Sequence, residues 1–220
     1  MYGNEIRVLR EKALSYGIKL TEHQLKLFQI YLDELWVWNQ RINLTGLSSR
    51  KRMVFELFLD SLIPAPFLGE EGRLLDVGSG AGFPGMPLKI YRPHLLTHLL
   101  EANTKKASFL KRVVCLLGLD EIRVIKGRIE RDGDALHSDG YHLITARALA
   151  RLGQTIVWCA PFLSPGGLLV SFLGRHAEDE LKESRQIIEE HRFILFKVVP
   201  YLLPGKRCER KAIIFKKKVS

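Results

Sequence analysis

Four glycines, Gly78, Gly80, Gly82 and Gly85, follow the apolar run Leu74–Val77 within eight residues and precede a helix-like stretch. Glycine lets the backbone take positive φ and approach a ligand with no Cβ in the way. Asp76 stands where strand would meet loop, and Glu101 comes 23 positions after Gly78. A carboxylate about 20 residues beyond such glycines accepts hydrogen bonds from ribose hydroxyls, so Glu101 points to an adenosine-bearing ligand. Gly80, Gly82 and Gly85 also satisfy GxGxxG, which keeps a nicotinamide or flavin dinucleotide in contention. A dinucleotide, however, rests its pyrophosphate on the helix N-terminus, and a carboxylate at Asp76 would repel it. S-adenosylmethionine brings an ammonium and a sulfonium instead, which Asp76 can serve directly or by ordering the loop. The sign of the charge favours the methyl donor.

The elements that must position these residues are legible in the pattern. From Arg73 onward, short apolar runs alternate with amphipathic stretches, as in repeated βα units around a parallel sheet. Strands are expected near Leu74–Val77, Thr97–Glu101, Ile122–Lys126, Leu143–Ala146, Leu168–Leu173, Phe193–Val199 and Ala212–Lys216. Helices are expected near Gly85–Tyr91, Lys105–Leu117, Arg151–Phe162 and Ala177–Glu190. The last two strands have no helix between them and should close as a hairpin. Before Leu68 the chain reads as helical. Thr21 to Gln24 has the T-x-x-Q form of a capping box, and Leu25, Phe28, Tyr31, Leu32, Leu35 and Trp36 follow at helical spacing. That spacing makes Tyr31, Trp36 and Trp38 packing residues before base-stacking ones. The expectation is a class I, Rossmann-like α/β fold, a seven-stranded and mostly parallel sheet. An N-terminal helical extension (1–68) precedes the sheet core (69–220).

Composition narrows the partners. The chain has 220 residues and a formal charge of +10, from 34 Lys and Arg against 24 Asp and Glu. A field of that sign favours polyanions. Basic residues gather at Arg41, Arg50–Arg52, Lys105-Lys106, Lys111-Arg112, Lys206-Arg207, Arg210-Lys211 and Lys216–Lys218. No apolar run approaches the roughly 18–20 residues of a membrane span, and the charged stretch to Leu20 has no signal-peptide core. Cys115, Cys159 and Cys208 form no CxxC pair, which argues against disulfides and zinc and fits a reducing cytoplasm. No metal site and no obligate subunit interface are expected.

Several segments carry a more specific resemblance. Trp38-Asn39 with Asn43-Leu44-Thr45, Leu59-Asp60-Ser61, the extended glycine loop Asp76–Pro87, Leu99–Glu101 with Lys105-Lys106, Gly127–Glu130 and Thr145–Ala148 occur in order. The chain resembles the RsmG family (glucose-inhibited division protein B) of bacterial 16S ribosomal RNA guanine-N7 methyltransferases. The resemblance implies cofactor contacts from Gly78, Phe83, Ile129, Glu130 and Arg147, and a guanine in a loop of the small-subunit RNA as target. It departs from the family at Leu57, often basic there, at Glu101, usually Asp, and at Phe172-Leu173-Gly174, which lacks a Lys.

Guanine N7 is a bare lone-pair acceptor, so its methylation needs no general base, only alignment and exclusion of water. Thr145–Ala148 accords with that, since it is not the Asp/Asn-Pro-Pro-aromatic tetrapeptide expected for exocyclic amines. Arg147 is then a positioning group for the methyl-bearing end of the cofactor or for the guanine. The rivals are a small-molecule methyltransferase, an NAD-linked oxidoreductase and a noncatalytic RNA-binding module. Asp76 and the lack of a second domain weigh against the oxidoreductase, the charge weighs against a small-molecule substrate, and the retained glycines and acidic anchors weigh against a module.

Overall fold

In the computed structural model, which describes residues 2–219, the chain folds around one twisted sheet. Its strands are β1 (Gly72–Val77), β2 (Leu95–Glu101), β3 (Ile122–Lys126), β4 (Tyr141–Arg147), β5 (Leu163–Leu173), β6 (Phe193–Tyr201) and β7 (Arg210–Lys217). The order across the sheet is β3-β2-β1-β4-β5-β7-β6, parallel except for β7. The strand order reverses between β1 and β4, so the crevice outside their carboxyl ends is where such a sheet binds ligands. Antiparallel pairing of β6 with β7 supplies the expected closing hairpin.

Helices cover both faces. α1 (Asn4–Ser15), α2 (Glu22–Ile42), α5 (Gly85–Tyr91) and α6 (Thr104–Leu117) lie on one face, and α7 (Leu152–Cys159), α8 (Ala177–Glu183) and α9 (Arg185–Glu190) on the other. Between α2 and β1 the chain runs as α3 (Arg50–Met53), a π-helical stretch Val54–Leu59, and α4 (Asp60–Leu62). The buried residues of α1, α2 and the π-helical stretch form one continuous core with those of β1, β2, α5 and α6. The extension is therefore packed into the sheet domain. The outermost residues of the two expected domains, 1 and 220, fall outside the described residues.

Local chemistry explains the ends of α2. Thr21 Oγ1 accepts the Gln24 amide (3.2 Å), while Gln24 Oε1 accepts the Thr21 amide (2.9 Å), so the expected capping box is present. At the other end Asn43 adopts a left-handed conformation (φ 45°), which Asn tolerates better than most residues. Asn39 then fastens the following turn, its amide donating to the Leu47 carbonyl (2.8 Å) and its Oδ1 accepting the Thr45 amide (2.9 Å).

Candidate active site

The glycine loop leaves β1 and is pinned to the next strand. The amides of Gly78 and Ser79 both donate to the Leu100 carbonyl, at 2.9 and 3.0 Å. Gly78, Gly80 and Gly82 have φ of 68°, 61° and 98°, a region that L side chains rarely adopt. The loop has two sides. A Cβ on Gly80 would meet nothing closer than 3.9 Å, so this glycine faces open space. A Cβ on Gly82 would fall 2.5 Å from the Tyr31 hydroxyl, and one on Gly85 2.7 Å from Asp76 Cβ. Gly80 thus leaves room for a ligand, whereas Gly82 and Gly85 leave room for the protein's own side chains. The space beside Gly78 is taken by Leu149, whose Cδ1 would lie 3.0 Å from a Cβ there.

Phe83 belongs to the inner side. Its ring stacks on Tyr31 (5.3 Å between centroids, 6° between planes) and meets Phe58 edge-on (5.1 Å). At 3% exposure it has no free face for a ligand, so any cofactor contact from this residue comes from its backbone. The Tyr31 hydroxyl donates to the Ala81 carbonyl, and α2 thereby holds the loop from beneath. Pro84 N-caps α5, and its peptide bond with Phe83 is cis.

Glu101 is 7% exposed and ties β2 to the loop. Its Oε2 accepts the Gly80 amide (2.7 Å) and its Oε1 the Asn103 amide (2.7 Å). Each oxygen retains a second lone pair for a hydroxyl donor. Asp76 is fully enclosed. Its Oδ1 accepts from Thr145 Oγ1 (2.7 Å) and its Oδ2 from the Gly85 amide (3.1 Å). Of the two roles open to Asp76, direct contact or loop ordering, this arrangement provides the second. Burial pushes its carboxyl up to about 6, against the Thr145 hydrogen bond and the others, which lower it.

Beyond β3, Ile129 is buried in the core of the second sheet face, while Glu130 is exposed, 3.7 Å from Arg128. A ligand there meets the backbone of the turn and the Glu130 side chain; the Ile129 side chain faces inward. Arg147 ends β4 with its side chain 17% exposed. Its Nη1 donates to the Glu56 carbonyl (3.0 Å) and to Asp60 Oδ2 (3.2 Å), and its guanidinium lies 5.6 Å from the centre of the Phe83 ring.

Asp60 organises a polar cluster that the spacing of residues did not single out. Besides Arg147, its Oδ1 accepts the Tyr201 hydroxyl (2.7 Å) and lies 3.2 Å from Arg210 Nε, an ion-pair contact without hydrogen-bond alignment. One turn earlier, Glu56 pairs with both Arg52 (2.7 Å) and Lys206 (2.9 Å). Burial would raise the Glu56 carboxyl, but these two partners win and hold it below the usual carboxylate range. The signal available in the sequence was an acid on an otherwise apolar helical run, Phe58-Leu59-Asp60.

The basic clusters therefore separate. Arg52, Lys206 and Arg210 converge beside Arg147 at the carboxyl edge of the sheet. Lys217 points to the opposite edge, donating to the Ala160 and Leu163 carbonyls (both 2.8 Å).

A sequence profile of the rRNA small subunit methyltransferase G family (GidB) matches residues 24–206. A protein of Chloroflexus aggregans named ribosomal RNA small subunit methyltransferase G is 40% identical over 218 residues, covering 98% of this chain and 92% of the relative. The chain belongs to this methyltransferase family. A Dehalococcoides mccartyi protein of the same name is 38% identical, over 91% of this chain and 86% of its own. Solved structures agree on the fold alone. A methyltransferase from Pyrococcus furiosus superposes with a TM-score of 0.60 at 15% identity, covering 86% of this chain and 96% of that one. M. jannaschii TYW2, solved in complex with AdoMet, gives 0.56 at 14% identity over 71% of each chain. As in the rest of the family, this chain is an enzyme of methyl transfer. Among its described residues no group of His, Cys, Asp and Glu could hold a metal, and no helix is long and apolar enough to cross a membrane.

Proposed function

We propose that the enzyme methylates N7 of a guanine in a loop of bacterial 16S ribosomal RNA, using S-adenosylmethionine and releasing S-adenosylhomocysteine. One observation carries the reading: at the switch point of the sheet, Gly80 faces open space with its amide on the Glu101 carboxylate (2.7 Å), and Arg147 ends the adjacent strand β4. The residues fit the cofactor. Gly80 admits a close backbone approach and Gly78 supplies the positive-φ turn that leads to it. Glu101 has lone pairs for ribose hydroxyls, and the Ile129-Glu130 turn offers backbone for the adenine edge. Phe83 contributes through its backbone, while Gly82 and Asp76 fix the loop from within. The bound cofactor supplies an electrophilic methyl group on a sulfonium, whose departure needs no proton.

This chain's residues then have a restricted task. Guanine N7 carries no proton, so no side chain need act as a base. Arg147, fixed by Asp60 and the Glu56 carbonyl, aligns the reactants and offsets nearby phosphate charge. Holding reactants in line is itself a large part of such catalysis. N7 is poorly accessible in a regular A-form duplex, hence a loop or distorted helix as target. Arg52 and Lys206 flank the approach. The enzyme would act as a cytoplasmic monomer on the small ribosomal subunit or an assembly intermediate.

The test is tritiated methyl transfer onto small subunits from a strain lacking this gene, with the label mapped to 7-methylguanosine. Labelling of another base, or none, would overturn the proposal. Calorimetry should show S-adenosylhomocysteine binding and no NAD binding, and RNA affinity should fall steeply with salt as counterions are released. Arg147→Ala should lose methyl transfer; wild-type turnover would remove Arg147 from the mechanism.

A further inference from the structure

On the β5 side of the switch point lies a hollow of about 120 Å³. It is bounded by the turn after β4, by the end of β5 and by α8, with Ala148, Leu149, Ser171, Gly174 and Glu180 among its walls. Leu149 is shared with the glycine loop, its Cδ1 lying 3.0 Å from where a Cβ on Gly78 would stand. The hollow therefore adjoins the proposed cofactor site on the side away from Glu101. At roughly 10–15 Å³ for each water-sized sphere, it admits about ten such atoms, the scale of a nucleobase without its sugar.

Two polar groups in its wall lack partners. The Ser171 hydroxyl, on a residue 3% exposed, has no hydrogen-bond partner among the described residues, and buried hydroxyls are rarely left so. Glu180 Oε2 accepts the Leu152 amide (3.0 Å), whereas its Oε1 has no partner and no cation stands within ion-pair distance among the described residues. An unpaired carboxylate is an odd neighbour for an RNA backbone, which it repels. It suits a neutral ligand edge made of N–H donors.

Guanine presents such an edge. N1–H and the N2 amino group point the same way and match the two lone-pair directions of a carboxylate. Adenine and cytosine put a ring-nitrogen acceptor there, and uracil flanks its one N–H with carbonyls. In guanine N7 lies on the far side of the ring system from N2, so a base held by Glu180 turns N7 away from it. Enzymes that modify a base commonly extrude it and read its Watson–Crick edge in a pocket of this kind.

We infer that this hollow receives the target guanine, with the Glu180 carboxylate accepting from N1–H and N2 and the Ser171 hydroxyl donating to O6. Glu180 is then the specificity-determining residue of the transfer proposed above, on which this assignment rests.

Inosine lacks the N2 amino group but keeps N1–H, O6 and N7, which makes it the probe. RNA carrying guanosine or inosine at the mapped target is assayed with wild type, Glu180→Gln and Ser171→Ala. Wild type should prefer guanosine by roughly 10- to 100-fold in kcat/KM, the worth of a good paired base contact. Glu180→Gln keeps an oxygen for the Leu152 amide, so folding is preserved. It should lose most of that preference, guanosine slowing more than inosine because only guanosine also loses the N2 contact, with S-adenosylhomocysteine affinity unchanged by calorimetry. Ser171→Ala should slow both substrates by roughly 10-fold and leave their ratio intact, because both carry O6. A Glu180→Gln enzyme that still discriminates, or a Ser171→Ala enzyme at full rate, overturns the assignment while the reaction stands. If wild type makes no 7-methylguanosine, the reaction falls and the pocket falls with it.

Discussion

Asp60 and Asp76 are both fully buried at the carboxyl edge of the sheet, yet their surroundings differ in kind. Asp60 faces two guanidiniums and a phenol, while Asp76 faces a hydroxyl and an amide. Removing a carboxylate from water is costly, and only opposite charge with good geometry offsets it well. Neutral donors offset it in part, so the Asp76 carboxyl is pushed up to about 6. Asp60 anchors cations, then, whereas Asp76 shapes a loop. A carboxylate beside a glycine turn can select against phosphate without ever touching the ligand, simply by being the group around which the turn is built.

The contrast can be broken at either end. The largest effect is expected for Asp60→Ala, which leaves Arg147 and Arg210 facing each other. Breaking such a pair costs about 3–5 kcal/mol, measurable by urea denaturation, and a loss under 1 kcal/mol would mean that the cluster is not held by charge. Next is Asp76→Asn. Between its ordinary 3.8 and about 6, the folded protein holds a proton on Asp76 that the unfolded chain has released. Its contribution to stability is therefore lost as pH rises through that window, by up to about 3 kcal/mol. The Asn variant should lack that slope, so the stability difference between it and wild type should change between pH 4 and 7. A constant difference would erase the distinction drawn between the two carboxylates.

Smaller effects sharpen the comparison. Gly85→Ala puts a Cβ 2.6 Å from Leu99 Cδ2 and 2.7 Å from Asp76 Cβ. Overpacking of this kind costs about 1–3 kcal/mol, and because the strain lands on Asp76, cofactor affinity should fall with stability. Tyr201→Phe removes one hydroxyl donor from Asp60 but keeps the ring and both guanidiniums. A loss of about 1 kcal/mol is expected, with cofactor affinity untouched; a larger effect on binding than on melting would show that Tyr201 does more than hold Asp60.

The strands were legible because their apolar runs are short, bounded and regularly spaced, and all seven expected strands form. Helix boundaries were less so. The helix expected at Ala177–Glu190 is two, α8 and α9, meeting at Ser184. No Gly or Pro marks the break. It arises where Ser184 and Ile187 pack against Gly153 of α7, a contact about 30 positions away in the chain. The helix expected at Arg151–Phe162 closes earlier, at Cys159, and passes into a 3-10 turn containing Pro161. In the site, Glu101 was singled out by its position after the glycines, and Arg147 by the family resemblance. The inward turn of Phe83 was not, because its partners Tyr31 and Phe58 come from helices that the spacing of the loop cannot report. The partners of Arg147 were hidden for the same reason.

The stack of Tyr31 on Phe83 joins positions 52 residues apart, and Phe109 extends the same cluster further. As the chain leaves the ribosome, the first helices therefore emerge long before the surfaces that cover them. Their aromatic stripe stays wet through much of synthesis, a state in which apolar segments stick to whatever they meet. The nascent amino-terminal third should accordingly be a chaperone client, and a gene fragment ending before Phe83 should yield an insoluble product.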